Sequence, residues 1–436
     1  MATHRRKPRS MSRRQFVNLM AGAVGGATLL PRVAVVRAGT RPDKRIHLLQ
    51  RSPFVPAGDK AMKQQAAEWG RANGVEVTVE NVNIQDLQTR TAAAIEAKTG
   101  PDIVQFMHNW AWLYAPALAD VTKAAEAYQA QFGKYYASIA QVSKVNGAWR
   151  ALPYSYVSNV VVYRKDWLAE AGHPEPQTWD EWREAGKKLK PKNRPIGLAV
   201  SHAVGDGPGN CYPLFWSWGC KETEADGKTV AIDSKETLDC VQWVVGFYKD
   251  ALDDAALAYD DTSNNKNYLG GTVSMVINAP SVTVKAREDF PDLYKQTWHA
   301  GFPAGPAGPA AWELNLSHGI MSYSKNREAA EAFLLWLMEP KQYEAWMMAC
   351  GGNNAGPTPY FEKAAVWTSE PILTPLKDIP RTVRHFGYPG PPTRAAAESV
   401  SKFIVVDMFA KACQGMAPKA AIAWAERELR EVYAQR

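Results

Sequence analysis

The rhythm of apolar and polar positions changes repeatedly between residues 45 and 106. Arg45–Gln50 is a short run centred on Ile46, Leu48 and Leu49, which predicts a first strand ending in the loop Ser52-Pro53-Phe54. From about Ala57 to Ala72 the apolar positions recur at helical spacing, and Asn73-Gly74 closes the segment as a helix C-cap would. Val75–Val82 alternates apolar and polar residues and predicts a second strand. Gln85–Lys98 is helical in pattern and stops at Thr99-Gly100-Pro101, and Asp102–Phe106 follows as a third strand. Strand, helix, strand, helix, strand predicts parallel βαβ units in a doubly wound sheet. Ligands of such sheets gather at the carboxyl ends of the strands. Those ends are Ser52-Pro53 and Phe106-Met107-His108-Asn109-Trp110.

A second α/β region begins near Leu152-Pro153-Tyr154. Asn159–Tyr163 predicts a strand, and Asp166–Ala171 a short helix closed by Gly172. Thr178 followed three residues later by Glu181 has the capping-box pattern of a helix start. Ile196–Val200 reads as a strand that runs into Ser201–Asn210, the most loop-like stretch of the chain. Ser234–Lys249 predicts a long helix, and Val273–Ile277 a strand ending at Asn278-Ala279-Pro280-Ser281. Gly301–Pro309 is a Gly/Pro-rich connector, and the remainder from Asn326 is mainly helical.

The first 38 residues change the picture of charge and compartment. They hold eight Lys and Arg and no acidic residue, then a modestly apolar run from Phe16 to Leu30, then Val36-Arg37-Ala38. A basic stretch, a short apolar stretch and a small-residue end form a secretory signal. The apolar part falls short of the about 20 residues a spanning helix needs. Ser12-Arg13-Arg14-Gln15-Phe16-Val17 resembles a twin-arginine export signal, which is a receptor-read address and not an anchor. The first cysteine is Cys211, so no lipid-anchored cysteine lies near the cleavage point. The whole chain carries 51 Lys+Arg against 44 Asp+Glu. Without the signal it carries 43 against 44, so its basic surplus belongs to the export segment. A nucleic-acid partner wants a basic patch, and none is expected. The localisation expected is periplasmic, with no stable membrane anchor. The roughly 400 residues that remain exceed what one core usually covers, so two domains are expected.

Several segments carry a family resemblance. Tyr163-Arg164-Lys165-Asp166, Glu170-Ala171-Gly172 and Pro176-Gln177-Thr178-Trp179-Asp180-Glu181 resemble a signature of the extracellular solute-binding proteins, the ABC-transporter family that includes maltose-binding protein. Gly100-Pro101-Asp102-Ile103, Gly270–Asn278 and Ser324–Phe333 resemble three further segments of that family, in family order. The resemblance implies an α/β fold of the periplasmic-binding type II class, with two doubly wound lobes and a ligand cleft between them. Carried onto this chain it implies an N-terminal lobe of residues 39–155 plus 299–319 and a C-terminal lobe of 156–298 plus 320–436. It implies a monomeric receptor that closes on a small solute, a sugar or polyol foremost, and presents it to the transmembrane permease subunits of an ABC importer. The chain departs from the family at Ser281, where a Trp is frequent after the turn, and at Asn109-Trp110, where charged residues are frequent. Both departures weaken a maltodextrin reading.

No nucleophile elbow, zinc-protease or phosphate-loop motif is present, so no enzyme, metal or cofactor is expected. Gly205-x-Gly207-x-Gly209 lacks the spacing of a dinucleotide loop. Asp206 and Glu313 pose the one enzymatic alternative, a glycosidase-like carboxylate pair. A cationic solute such as a polyamine is the alternative with the same fold. Sugar hydroxyls need fixed donors and acceptors, and sugar faces need flat apolar surface. The candidate ligand residues are therefore Phe106, Asn109, Trp110, Tyr156, His202, Asp206, Asn210, Tyr212, Trp216, Asn278, Ser281, Glu313 and Asn353. Tyr212 and Trp216, four apart, fit one core face of a helix equally well, and Asn353 fits a helix-terminating loop. Arg51 is the one basic loop residue that a strand end offers to an anion. Five cysteines with no C-x-x-C leave Cys211–Cys220 as a disulfide or as buried free thiols.

Overall fold

In the computed structural model, which describes residues 44–434 apart from Ser158, Asp378 and Thr382, the first elements follow the periodicity of the chain. The export segment lies outside the described residues. β1 (Lys44–Arg51) pairs in parallel with β2 (Val75–Val82), and α1 (Pro56–Asn73) connects them. α1 opens on a proline, where the missing N–H is not needed. It ends at Gly74, whose φ of +66° is the left-handed geometry that glycine adopts without strain. α2 (Ile84–Ala97) starts at Asn83, whose side chain accepts from the Gln85 N–H. The chain returns through β3 (Ile103–Met107), parallel to β1 and buried on both faces, into α3 (Trp110–Tyr114).

The next strands are β4 (Leu152–Val157), β5 (Val160–Arg164), β6 (Met275–Asn278), β7 (Thr297–Ala300), β8 (Leu314–Ile320) and β9 (Asn354–Ala355). They divide between two sheets. The larger has the order β9-β4-β8-β3-β1-β2, and β8 runs antiparallel to both β3 and β4. The smaller has the order β6-β5-β7, with β5 antiparallel to both neighbours. β4 and β5 are separated by two residues but belong to different sheets, so the chain changes lobe between Val157 and Val160.

The helices that position the cleft are α4 (Asp206–Ser217), α5 (Lys235–Asp250), α6 (Ser263–Leu269) and α7 (Ser281–Asp289). Those of the tail are α8 (Arg327–Leu337), α9 (Pro340–Ala349), α10 (Arg394–Ser401), α11 (Ile404–Cys413) and α12 (Pro418–Ala434). The tail does not stay in one lobe, which corrects the assignment of all of 320–436 to the second. α8 and α9 lie against α1, and β9 pairs with β4, so this stretch completes the first lobe. α11 and α12 pack on α4 and α5 and complete the second. The reason is apolar matching: Phe333, Leu334, Leu337, Tyr343 and Met347 are buried with Met62, Ala66 and Trp69 of α1.

Two local expectations also change. Ile196–Val200 makes one isolated parallel bridge, Ile196 with Leu252, and separate backbone bonds from Gly197 N to Met275 O and Val200 N to Ala256 O, and is not a ladder strand. Asp206–Asn210 is not loop but the first turn of α4. The helix starts there, ahead of Gly207-Pro208-Gly209, because the free N–H groups of its leading turn are met from outside. The Asp261 carboxylate accepts from the N–H groups of Val204, Gly205 and Asp206, at 2.8 to 2.9 Å. Gly209 is required by close approach, since a Cβ would stand 2.5 Å from the Trp312 ring. The capping box at Thr178 and Glu181 forms as expected. All five cysteines are free, and Cys220 lies beside Cys240.

Candidate functional site

The carboxyl ends of β1 and β3 meet the amino ends of α4 and α7 across the line where the two lobes touch. Hydrogen bonds cross that line at several points. Gln85 Nε2 donates to Asp261 Oδ2 at 3.0 Å, the His108 Nε2 and Val204 carbonyl are 3.0 Å apart, and Gln88 Nε2 donates to Ser401 Oγ at 3.1 Å. The Ser281 N–H also donates to Asn353 Oδ1 at 3.1 Å, tying α7 to the turn before β9.

Six buried polar side-chain atoms without a partner lie here, while others are spread through the rest of the fold: Arg51 Nε, His108 Nδ1, Asn109 Oδ1, Asp206 Oδ2, Ser281 Oγ and Glu313 Oε2. Each such group in an interior costs about 1–3 kcal/mol when left unmade. A solute with donors and acceptors at these points removes that penalty. Burial sets the electrostatics. It pushes the Asp206 carboxyl well above its usual range, helped by the Asp261 and Asp260 charges, and Asn264 offsets part of this. It pushes Glu313 up in the same way, against a hydrogen bond from the Asn159 N–H at 3.0 Å. It pushes His108 down to about 4, so the ring is neutral and presents one donor and one acceptor. It lowers Arg51 to about 10, against the raising charge of Asp261.

An aromatic group lies beside this polar layer, with Phe386 at its hub. The Phe386 ring centre is 4.6 Å from Tyr212, 5.2 Å from His108, 5.7 Å from Trp312 and 6.2 Å from Trp216. The sequence carried no signal for Phe386, because it sits in an irregular segment between the helices of the tail. A small cavity between the two groups is lined by Asn109, Tyr156, Trp312, Glu313, Arg384 and Phe386, among others.

Of the expected residues, Asn109, Asp206, Ser281, Glu313 and Asn353 stand in the polar layer. Asn278 stands next to it, but its amide is committed to Asn265 Oδ1 and its own oxygen to the Ala279 N–H. Tyr156 borders the small cavity, and its hydroxyl bonds Ser138 Oγ at 2.7 Å and the Ile139 N–H at 3.1 Å. Trp110, Tyr212 and Trp216 are at most 2% exposed. They are interior rings, not open platforms, and Tyr212 and Trp216 form the single helix face that their spacing allowed. Three residues turn their side chains away from the cleft. Phe106 packs against Gly319 and Tyr114 inside the first lobe. His202 stacks on Phe403 and pairs with Asp407 at 2.7 Å on the exposed side. Asn210 reaches back to the Ala199 carbonyl at 3.4 Å. His108, Asp261 and Phe386 were missed. His108 was visible only as part of a strand end. Among the described residues no group of His, Cys, Asp and Glu is placed to hold a metal, and no helix is long and apolar enough to cross a membrane.

Comparison with known proteins bears on the fold and the family. A family model described as bacterial extracellular solute-binding protein matches residues 55–344. A putative ABC transporter periplasmic-binding protein, YcjN of Escherichia coli, is 21% identical over 322 residues, covering 70% of this chain and 71% of that one. Among solved structures, a solute-binding protein from Thermotoga lettingae bound with α-D-tagatose is 18% identical with a TM-score of 0.77, covering 89% of this chain and 100% of that one. Maltose-bound T. maritima MalE3 is 19% identical with a TM-score of 0.75, covering 89% and 99%. A solute-binding protein from Agrobacterium radiobacter in complex with ribitol is 21% identical with a TM-score of 0.72, covering 90% and 100%. The fold is therefore the two-lobed periplasmic-binding type II fold. With a family model spanning more than half of its length, the chain belongs to the bacterial extracellular solute-binding protein family.

Proposed function

We propose that this chain is the substrate-binding component of an ABC importer, exported by the twin-arginine route, and that it captures a small carbohydrate or polyol by closing two lobes. The observation that carries the reading is the interlobe layer of buried polar atoms without partners, set against aromatic rings. Many fixed donors and acceptors beside flat apolar surface suit a polyhydroxy solute. Tagatose, maltose and ribitol in structures of the same fold support the same class. Ligand stabilises the closed state because only that state lets it touch both lobes. The closed pair of lobes is then the surface a permease reads. A cationic solute is the rival reading, favoured by Asp206, Asp261 and Glu313 in or beside the layer. The buried Arg51 opposes it. We read Asp206 and Glu313 as binding groups and not as a catalytic pair.

A thermal-shift screen of sugars, polyols, polyamines and amino acids on the purified chain tests the reading. A bound solute at one hundred times its Kd adds about 2.7 kcal/mol of stability. Stabilisation by sugars or polyols is expected. Stabilisation by polyamines alone replaces the carbohydrate reading with the cationic one.

A further inference from the structure

We infer that the solute carries an acidic group, and that the buried Arg51 guanidinium and the cavity beside it form the pocket that receives it. This deepens the carbohydrate-or-polyol reading and rests on it: the ligand class is a polyol bearing one oxyanion, a carboxylate or a phosphate.

Arg51 is the starting point. It ends β1, is 4% exposed, and its guanidinium makes one hydrogen bond, from Nη1 to the Ser52 carbonyl at 3.2 Å. The Phe54 ring lies 5.6 Å from Cζ. Among the described residues no carboxylate comes within 4.0 Å of it, and Nε has no partner. Asp261 acts on it only through space, and both oxygens of Asp261 are already met by three backbone N–H groups and Gln85. A buried charge without an opposite charge in contact and with a donor left over is expensive. A guanidinium offers a fork of donors that fits a carboxylate or phosphate in two-point contact.

The surroundings complete the pocket. Arg51 lines a cavity of about 30 Å³ together with Gln50, Val55, Gly58, Asp59 and Gln105, among others. That space holds one or two waters, or the head of an oxyanion, and no sugar ring. Gly58 and Asp59 belong to the first turn of α1, where the Gly58 N–H already donates to the Val55 carbonyl at 3.1 Å, so the guanidinium is the cationic group this wall offers. Asp59 is not the missing partner of Arg51: its oxygens take Lys63 Nζ at 2.8 Å and Asn81 Nδ2 at 2.6 Å. The Gln50 and Gln105 side-chain oxygens are also unpartnered, and they suit hydroxyls next to the acid. The cavity abuts a larger groove of about 350 Å³ between residues 54–57 and α6–α7. The two share Val55, and the Asn353–Ser281 bond joins their walls. The groove has room for a body the size of one sugar.

Isothermal titration of the purified chain decides this, with gluconate against glucitol, glucuronate against glucose, and glucose 6-phosphate against glucose. At least one acid should bind about tenfold or more tighter than its neutral counterpart, the step expected for one charge-assisted contact. The carboxylate and phosphate arms tell the two oxyanions apart. Arg51→Gln should bring acid and neutral compounds to the same affinity, and Arg51→Lys should keep part of the preference, with thermal unfolding as the control for folding. Should Arg51→Gln fail to fold, the ratio in the unaltered chain and in Arg51→Lys still decides. Equal or tighter binding of the neutral members overturns the inference and leaves the carbohydrate reading standing. An equal loss for all probes in Arg51→Gln also overturns it and makes Arg51 scaffold. No binding of any sugar, polyol or acid, with a polyamine bound instead, overturns both readings.

Discussion

Glu222 shows what a single buried side chain does to this protein. It is 2% exposed, its carboxyl accepts from Tyr212 at 3.0 Å and from Ser399, and burial raises its pKa to about 7. An acid raised in the fold holds its proton where the unfolded chain has lost it. Its contribution to stability is therefore full at low pH and falls as pH rises from about 4.5 to about 7. A shift of this size corresponds to roughly 3 kcal/mol across that window. Glu222→Gln keeps an acceptor for both hydroxyls and removes the titration. Unfolding midpoints at pH 5 and pH 8 should differ less in the variant than in the parent. Gly209 is the second residue whose effect is fixed by its contacts. Gly209→Ala puts a methyl into the Trp312 ring, and overpacking of this kind costs about 1–3 kcal/mol. Gly301→Ala, with nothing within 4 Å, should be near neutral by the same denaturation measurement.

At the level of elements, α4 depends on an acid from another segment. Asp261 caps it through three backbone N–H groups, and removing such a cap costs about 0.5–2 kcal/mol. Asp261→Ala should lower the unfolding free energy by about that amount and weaken solute binding, because Asp206 sits in the turn being held. A variant with unchanged stability and unchanged affinity would show that Gly-Pro-Gly holds its turn without the cap. The aromatic face of the same helix is structural. Trp216→Ala removes a ring that is 2% exposed, and truncations of buried aromatics cost about 3–5 kcal/mol. Its unfolding midpoint should fall, in contrast with what an open stacking platform would show.

Across the whole molecule, Gln85 to Asp261 ties a helix of the first lobe to the capping acid of the second. Gln85→Ala should leave each lobe intact and favour opening. A hydrogen bond to a charged group contributes about 1.5–3 kcal/mol, so affinity should fall about ten- to a hundredfold, mainly through faster release. Stopped-flow dissociation of whichever solute the screen identifies checks this. A slower release, or an unchanged one, would remove Gln85 from the closing contacts.

Much of this architecture was readable from local pattern. The βαβ start, the Gly74 stop, the capping box at Thr178 and the helical tail are short-range features, and hydrogen bonding within a few residues decides them. The strand ends that carry Arg51 and His108–Trp110 were legible for the same reason, since a period and a break locate them. The site itself was not. Asp261 reaches α4 from about 55 residues away, and Phe386 joins rings on three other segments. Burial turned Trp110 and Trp216 from open surface into core, and Phe106, His202 and Asn210 found partners outside the cleft. The tail divided between two lobes because its apolar faces match helices far away in sequence. Residue type and spacing say what a side chain can do. Which polar atoms are left buried without a partner depends on everything brought around them, and that sum exists only in the folded chain.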